Sequence, residues 1–227
     1  MSLSGRYYPR PWYRRIPYSA VSSMNPGNET TVATLYNAIT QTKTKNKPYR
    51  YQPIWMPGSD QGFYGVNCDE VYPNIYIGDG STAKNKAYLK KIGITHVLNT
   101  AEGNMLSMVD TNEYFYRDTQ FKYLGLQLLD LPTTRISVHF NETSEFIDDA
   151  LINKGKVFVH CLMGMSRSST CVIAYLMMKR GMSAADAIRL IRQRRDIYPN
   201  EGFLEQLAEL DNYLRRNRDM RYSPLAK

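Results

Sequence analysis

Apolar and polar positions along the 227-residue chain fall into short runs that switch between two periods. Val157, Phe158 and Val159 form a continuous apolar triplet, the pattern of a strand buried on both faces of a sheet. Comparable runs predict strands at Ile75 to Ile77, Thr95 to Leu98 and Tyr123 to Leu128, with a short β segment around Tyr114 to Tyr116. Between these runs the period becomes helical. Ala83 to Lys91, closed by Gly93, is one expected helix. Ser137 to Asn153 is another, carrying Phe140, Ile147 and Leu151 on one face and stopping before Gly155. Ser169 to Arg180 is almost wholly apolar, which places it against the sheet, and Gly181 ends it. Ser183 to Asp186 resembles a capping box, and Asn200 opens a last helix with Leu204, Leu207, Leu210 and Leu214 on its core face. Strands alternating with helices imply an α/β fold, a mainly parallel central sheet wrapped by helices, with ligands at the carboxyl ends of the strands.

Ahead of this pattern, residues 1–28 are rich in Tyr, Arg, Pro and Ser and are expected to be mostly disordered. A short helix is predicted near 29–40, because Val32, Leu35, Tyr36 and Ile39 fall on one helical face, and residues 40–66 read as a linker. The predicted organisation is therefore an extension over 1–66, a domain over 67–217 and a tail over 218–227.

Charge separates the same segments. The chain carries +8, of which +6 lies in residues 1–66, with eight basic residues against two acids. The rest is close to neutral, unlike a general nucleic-acid binder. Three cysteines, Cys68, Cys161 and Cys171, do not suggest a disulfide framework. No run of about 18 apolar residues exists to span a membrane. A soluble protein of the cytoplasm, and of the nucleus as well, is the expectation.

The chemistry is concentrated in Lys156 to Ser169, KVFVHCLMGMSRSS. A loop between a strand and a helix N-terminus turns successive backbone N–H groups inward, and the helix adds its positive end. Such a concavity holds an anion. Leu162, Met163, Gly164, Met165 and Ser166 would line it, and Arg167 would meet two phosphoryl oxygens with its planar fork. Cys161 at its start would be ionised: settings of this kind lower a cysteine pKa from about 8.5 to roughly 3.5–7.5. Ser168 offers a hydroxyl beside the sulfur, and His160 is expected to orient the loop rather than act as a base.

HCLMGMSRSS is similar to the active-site signature of cysteine-dependent protein phosphatases, HCxxGxxR followed by Ser or Thr. GITHVLNTAEG from Gly93, AYLMM from Ala174 and PNEGFLEQL from Pro199 resemble the atypical, vaccinia-phosphatase-related dual-specificity group, over about residues 67–217. The resemblance implies a protein-tyrosine-phosphatase-like fold and hydrolysis of phosphotyrosine and phosphoserine or phosphothreonine through a phosphocysteine. It also implies no metal or other cofactor, and phosphoprotein substrates with a MAP kinase among the candidate partners.

Asp130, at a strand's carboxyl end, matches the family's general-acid position. Leu129, Leu131 and Pro132 are expected to shield it from water and so favour the protonated acid. Arg195 matches an arginine that takes a second phosphate, with a solvated helix-end charge as the alternative. Met163 and Met165 give the loop an apolar rim, which suits a protein substrate better than a phosphoinositide. Two other functions stand beside the main one, a phosphoprotein-binding module with little turnover and a phosphoinositide phosphatase.

Overall fold

Five strands form the sheet that carries the loop. In a computed structural model, which describes residues 29–45 and 66–222, they run β1 (Cys68–Tyr72), β2 (Ile75–Gly78), β3 (His96–Asn99), β4 (Lys122–Gly125) and β5 (Val157–His160). Their order is β1-β2-β5-β3-β4, with β2, β5, β3 and β4 parallel and β1 antiparallel at one edge. β5 lies in the middle, so its apolar triplet is buried on both sides. Alternation sends Val157 and Val159 into the larger core with Ile75, Ile77 and Leu98, while Phe158 faces the smaller core with Val97, Leu89 and Tyr116.

Among the described residues seven α-helices cover the sheet: α1 (Val32–Gln41), α2 (Gly80–Lys84), α3 (Lys86–Lys91), α4 (Phe140–Ile152), which a 3-10 turn over Ile136–His139 leads into, α5 (Arg167–Arg180), α6 (Ala184–Arg192) and α7 (Glu201–Tyr222). The larger core draws on α1 and α4 to α7, and the smaller one lies under α2 and α3. Central α5 has every side chain from Arg167 to Met177 buried: the polar first turn, Arg167 to Thr170, lies under the catalytic loop, and the apolar run from Cys171 packs in the core. It ends at Gly181, whose φ of 69° is the left-handed cap that glycine adopts without strain. Ser183 caps α6 by accepting from the Asp186 N–H, and Asn200 Oδ1 accepts from the Phe203 N–H at the start of α7.

Several elements differ from the sequence expectation. β1 was not anticipated, because CDEVY buries only Val71 and an edge strand shows little apolar periodicity. The helix expected over Ala83 to Lys91 is two helices: Asn85 donates its backbone N–H to Thr82 O and caps α3 by accepting from the Tyr88 N–H. Tyr114 to Tyr116 form turns rather than β structure, since the Tyr116 N–H bonds locally to the Asn112 and Glu113 carbonyls. α5 starts at Arg167, two residues before the predicted start, and α7 runs past 217 into the expected tail. The disorder expected over 1–28 and most of the linker expected over 40–66 lie outside the described residues.

α1 packs on α6 and α7, burying Leu35, Ala38 and Ile39. Its entry is tied to α7 at a buried carboxylate. Asp211 accepts from the Thr30 hydroxyl at 2.6 Å, from the Ala184 N–H at 3.1 Å and from Arg215 at 3.0 Å. Among the described residues no helix is long and apolar enough to cross a membrane.

Candidate active site

Four parallel strands end at one edge, and each delivers a piece of the site there. β5 runs into Cys161, β3 into the loop from Thr100, β4 into Leu126 to Asp130, and β2 into Asp79 and Gly80. The loop after β5 is shaped by where its carbonyls go. Gly80 N–H donates to Leu162 O at 3.0 Å, Arg195 Nη2 to Met163 O at 3.0 Å and Arg195 Nε to Gly164 O at 2.7 Å. Tyr198 N–H donates to Met165 O, Thr170 N–H to Ser166 O, and His160 Nδ1 reaches Cys161 O at 3.4 Å. Six consecutive carbonyls are thus bonded to the scaffold, which leaves the concave side to the N–H groups. Gly164 makes the turn at φ 68°, and a Cβ there would stand 2.4 Å from Gly78 O. Only glycine fits.

Cys161 is buried at the base of this cradle. Its sulfur lies 3.2 Å from the Gly164 N and 3.4 Å from Ser168 Oγ. Burial alone would raise the thiol's pKa, but the Ser168 hydroxyl, the Arg167 guanidinium and the backbone N–H groups of Ser168 and Met165 together hold it below the usual 9.0. At fully buried Cys171 and partly buried Cys68 desolvation outweighs the hydrogen bonds of Thr143 and Tyr88 and the charge of Arg195, and both thiols are pushed up to about 12. One thiol of the three is activated. His160, fully buried and stacked on Phe158, is held neutral with a pKa of about 3 by burial. An uncharged imidazole with Nδ1 on the Cys161 carbonyl fits an orienting role.

Arg167 is held from behind. Nη1 donates to Leu128 O and Nη2 to Ser107 O, each at 2.9 Å, and Ser107 presents that carbonyl from a positive φ of 71°. Its Nε is buried and has no hydrogen-bond partner among the described residues. An unpaired buried donor costs about 1–3 kcal/mol, which an oxyanion in the cradle would offset. Asp130 stands at the rim with Oδ2 3.5 Å from that Nε, and its Oδ1 accepts from Ser166 Oγ at 2.7 Å and Asn200 Nδ2 at 2.8 Å.

Two sequence expectations need correction. Leu129 and Leu131 are 39% and 49% exposed, so they do not shield Asp130, which hydrogen bonds hold instead. Arg195 is neither a solvated charge nor free for a second phosphate. It is 5% exposed, and besides its two loop carbonyls it donates from Nη1 to Asn67 Oδ1 and Asp69 Oδ2, both at 2.8 Å. It is a strut that fixes the loop. Sequence reasoning overlooked Asn200 beyond its cap role, and it overlooked Asn99, whose buried amide donates to Val109 O and Thr111 O and so shapes the loop that presents Ser107. Asn200 alone left a signal, as the helix-opening residue.

Comparison with known proteins places this geometry. Residues 75–213 match the family model described as the dual specificity phosphatase catalytic domain. The mouse dual specificity protein phosphatase 13B (Mus musculus) is 48% identical over 152 residues, covering 66% of this chain and 76% of the relative. Among solved structures, human DUSP28 superposes with a TM-score of 0.58 at 25% identity, covering 65% of this chain and 95% of its own. The human tyrosine phosphatase-like serine/threonine/tyrosine-interacting protein gives 0.56 at 32% identity, covering 69% and 99%. Cradle, thiol and fold agree with these matches, and the chain belongs to the atypical dual-specificity protein phosphatases, enzymes that hydrolyse phosphotyrosine and phosphoserine or phosphothreonine esters.

Proposed function

We propose that the reaction runs through Cys161 as nucleophile, with Arg167 and the loop amides holding the phosphoryl oxygens and Asp130 as general acid. The observation that carries this reading is the Cys161 sulfur, buried in the cradle between Ser168 and the Gly164 N–H with its pKa held down. The thiolate attacks phosphorus, the P–O ester bond breaks, and Asp130 gives its proton to the leaving oxygen. Water then attacks the phosphocysteine, Asp130 takes its proton, and sulfur departs as thiolate with the Ser168 hydroxyl bonded to it. His160 and Arg195 position the loop.

The exposed side chains of Leu162 and Met163 support a protein substrate over a phosphoinositide, whose extra phosphates would call for cations at the rim. The family resemblance supports a MAP kinase among the substrates, and an activated thiol suits a reducing compartment, cytoplasm or nucleus. Catalysis is assigned to residues 67–217, with the preceding segment as an extension.

Rapid quenching with a phosphotyrosine peptide is expected to yield phosphate on the Cys161 peptide, and Cys161→Ser is expected to abolish turnover. Asp130→Asn should slow alkyl phosphates by about 10²- to 10⁴-fold and aryl esters with good leaving groups much less. Equal losses on both would move the acid to another carboxylate, Asp110 or Asp118, of which Asp118 is already paired with Lys86 at the surface.

A further inference from the structure

Beside the catalytic loop runs a groove of about 570 Å³ between α1 and the start of α7. One wall is Val32 and Tyr36, and the other is Tyr198, Pro199, Glu201 and Leu204. The second wall is continuous with the active site. Tyr198 N–H donates to Met165 O at 2.9 Å, and Asn200, between Pro199 and Glu201, holds both Ser166 and Asp130. The groove therefore lies beside the loop that would take the phosphorylated residue.

The lining is specific in its chemistry. Tyr36 and Tyr198, 46% and 43% exposed, meet edge to face with centroids 6.2 Å apart, leaving ring surface open to the groove. Val32, Ala33 and Leu204 supply its aliphatic lining. Glu201, exposed in the first turn of α7, makes no ion pair with any described residue. The guanidinium of Arg192, within electrostatic reach of Tyr198, is itself paired with Asp196 at 2.5 Å. Aliphatic stem, aromatic face and carboxylate are together what a long basic side chain requires.

We infer that this groove is a substrate subsite that takes an arginine or lysine flanking the phosphorylated residue of the protein substrate. The inference rests on the phosphatase reading for its occupant. It concerns recognition next to the cradle, not the cradle itself.

The test uses full-length Cys161→Ser protein and phosphotyrosine peptides in which arginine, alanine or glutamate is placed at each flanking position in turn. At one position arginine is expected to tighten binding about three- to tenfold over alanine, and glutamate to weaken it. Glu201→Gln and Tyr36→Ala, each added to Cys161→Ser, should each erase the preference. In the otherwise wild-type enzyme, both should leave kcat/KM for a small aryl phosphate unchanged, which shows an intact fold and cradle. An absent preference, or one that survives both substitutions, overturns the subsite. A preference that emerges only when residues 1–28 are deleted assigns the groove to the chain's own N-terminal segment and also overturns it. Absent turnover by wild type with the arginine preference intact would count against the catalytic reading and for the groove.

Discussion

Asn200 donates from Nδ2 to Asp130 Oδ1 at 2.8 Å while its own Oδ1 accepts from the Phe203 N–H at 3.0 Å, so one side chain both caps α7 and holds the carboxylate at the mouth of the site. The two duties are separable by substitution. Asn200→Asp keeps a good cap but exchanges the donor for a negative charge beside Asp130, and turnover should fall about 10- to 100-fold with little change in Tm. Asn200→Ala loses both, adding about 1 kcal/mol of destabilisation, or roughly 2–4 °C in Tm. Full turnover in Asn200→Asp would show that the contact does not position the acid.

Ser168 is expected to set the acid side of the pH profile through the Cys161 sulfur, 3.4 Å away. The thiolate is the reactive form, so activity is present above the thiol's pKa and lost as pH falls through it. Because that pKa lies below the usual 9.0, wild type keeps its nucleophile at lower pH than an ordinary cysteine would. Ser168→Ala removes a stabilising hydrogen bond, and the ascending limb of kcat/KM should move to higher pH. Breakdown of the phosphocysteine should slow by about 10- to 100-fold, seen as a larger burst. An unmoved limb would mean that Arg167 and the backbone suffice.

His160 links stability to pH. Burial depresses its pKa from 6.5 to about 3, so between those values the unfolded chain binds the proton that the folded one refuses. This contribution to stability is complete above pH 6.5 and is lost progressively as pH falls toward 3. Urea midpoints should decline over that window, and the decline should be shallower in His160→Gln. Identical slopes in both proteins would remove His160 from the account.

Arg195 holds the loop through Met163 O and Gly164 O, with Asp69 behind it. Arg195→Met should cost about 3 kcal/mol, the lower end for breaking a buried pair because Asp69 is partly exposed, and should depress kcat more than KM. Arg195→Lys keeps the charge and loses the fork, so it should recover part of the stability and little of the rate. If instead Arg195→Lys selectively lost affinity for doubly phosphorylated peptides, the strut would also be a phosphate ligand.

Much of this was legible along the chain because the signals are local. Val157 to Val159 show a buried strand by their own composition, and the spacing of Cys161, Gly164 and Arg167 describes the turn that joins it to α5. Gly181, Ser183 and Asn200 mark helix ends by side-chain chemistry that acts over three or four residues. Where the local signal was weak the reading went astray: β1 is an edge strand held by its neighbour, and Asn85 divides one apparent helix in two.

The sequence by itself determined the α/β alternation, the anion cradle and the identity of the activated thiol, since each depends on residues close together in the chain. Tertiary structure decided what surrounds them. Arg195 lies 31 residues beyond Gly164 and Asn200 lies 70 beyond Asp130, and no periodicity reports whether such pairs meet. Only packing of α6 and α7 against the loop turned Arg195 from an available cation into a strut. The same packing made Asn200 the holder of the acid and opened a groove between α1 and Glu201. Hydrogen-bond partners at that range are chosen by where whole elements dock, and docking is a property of the assembled core.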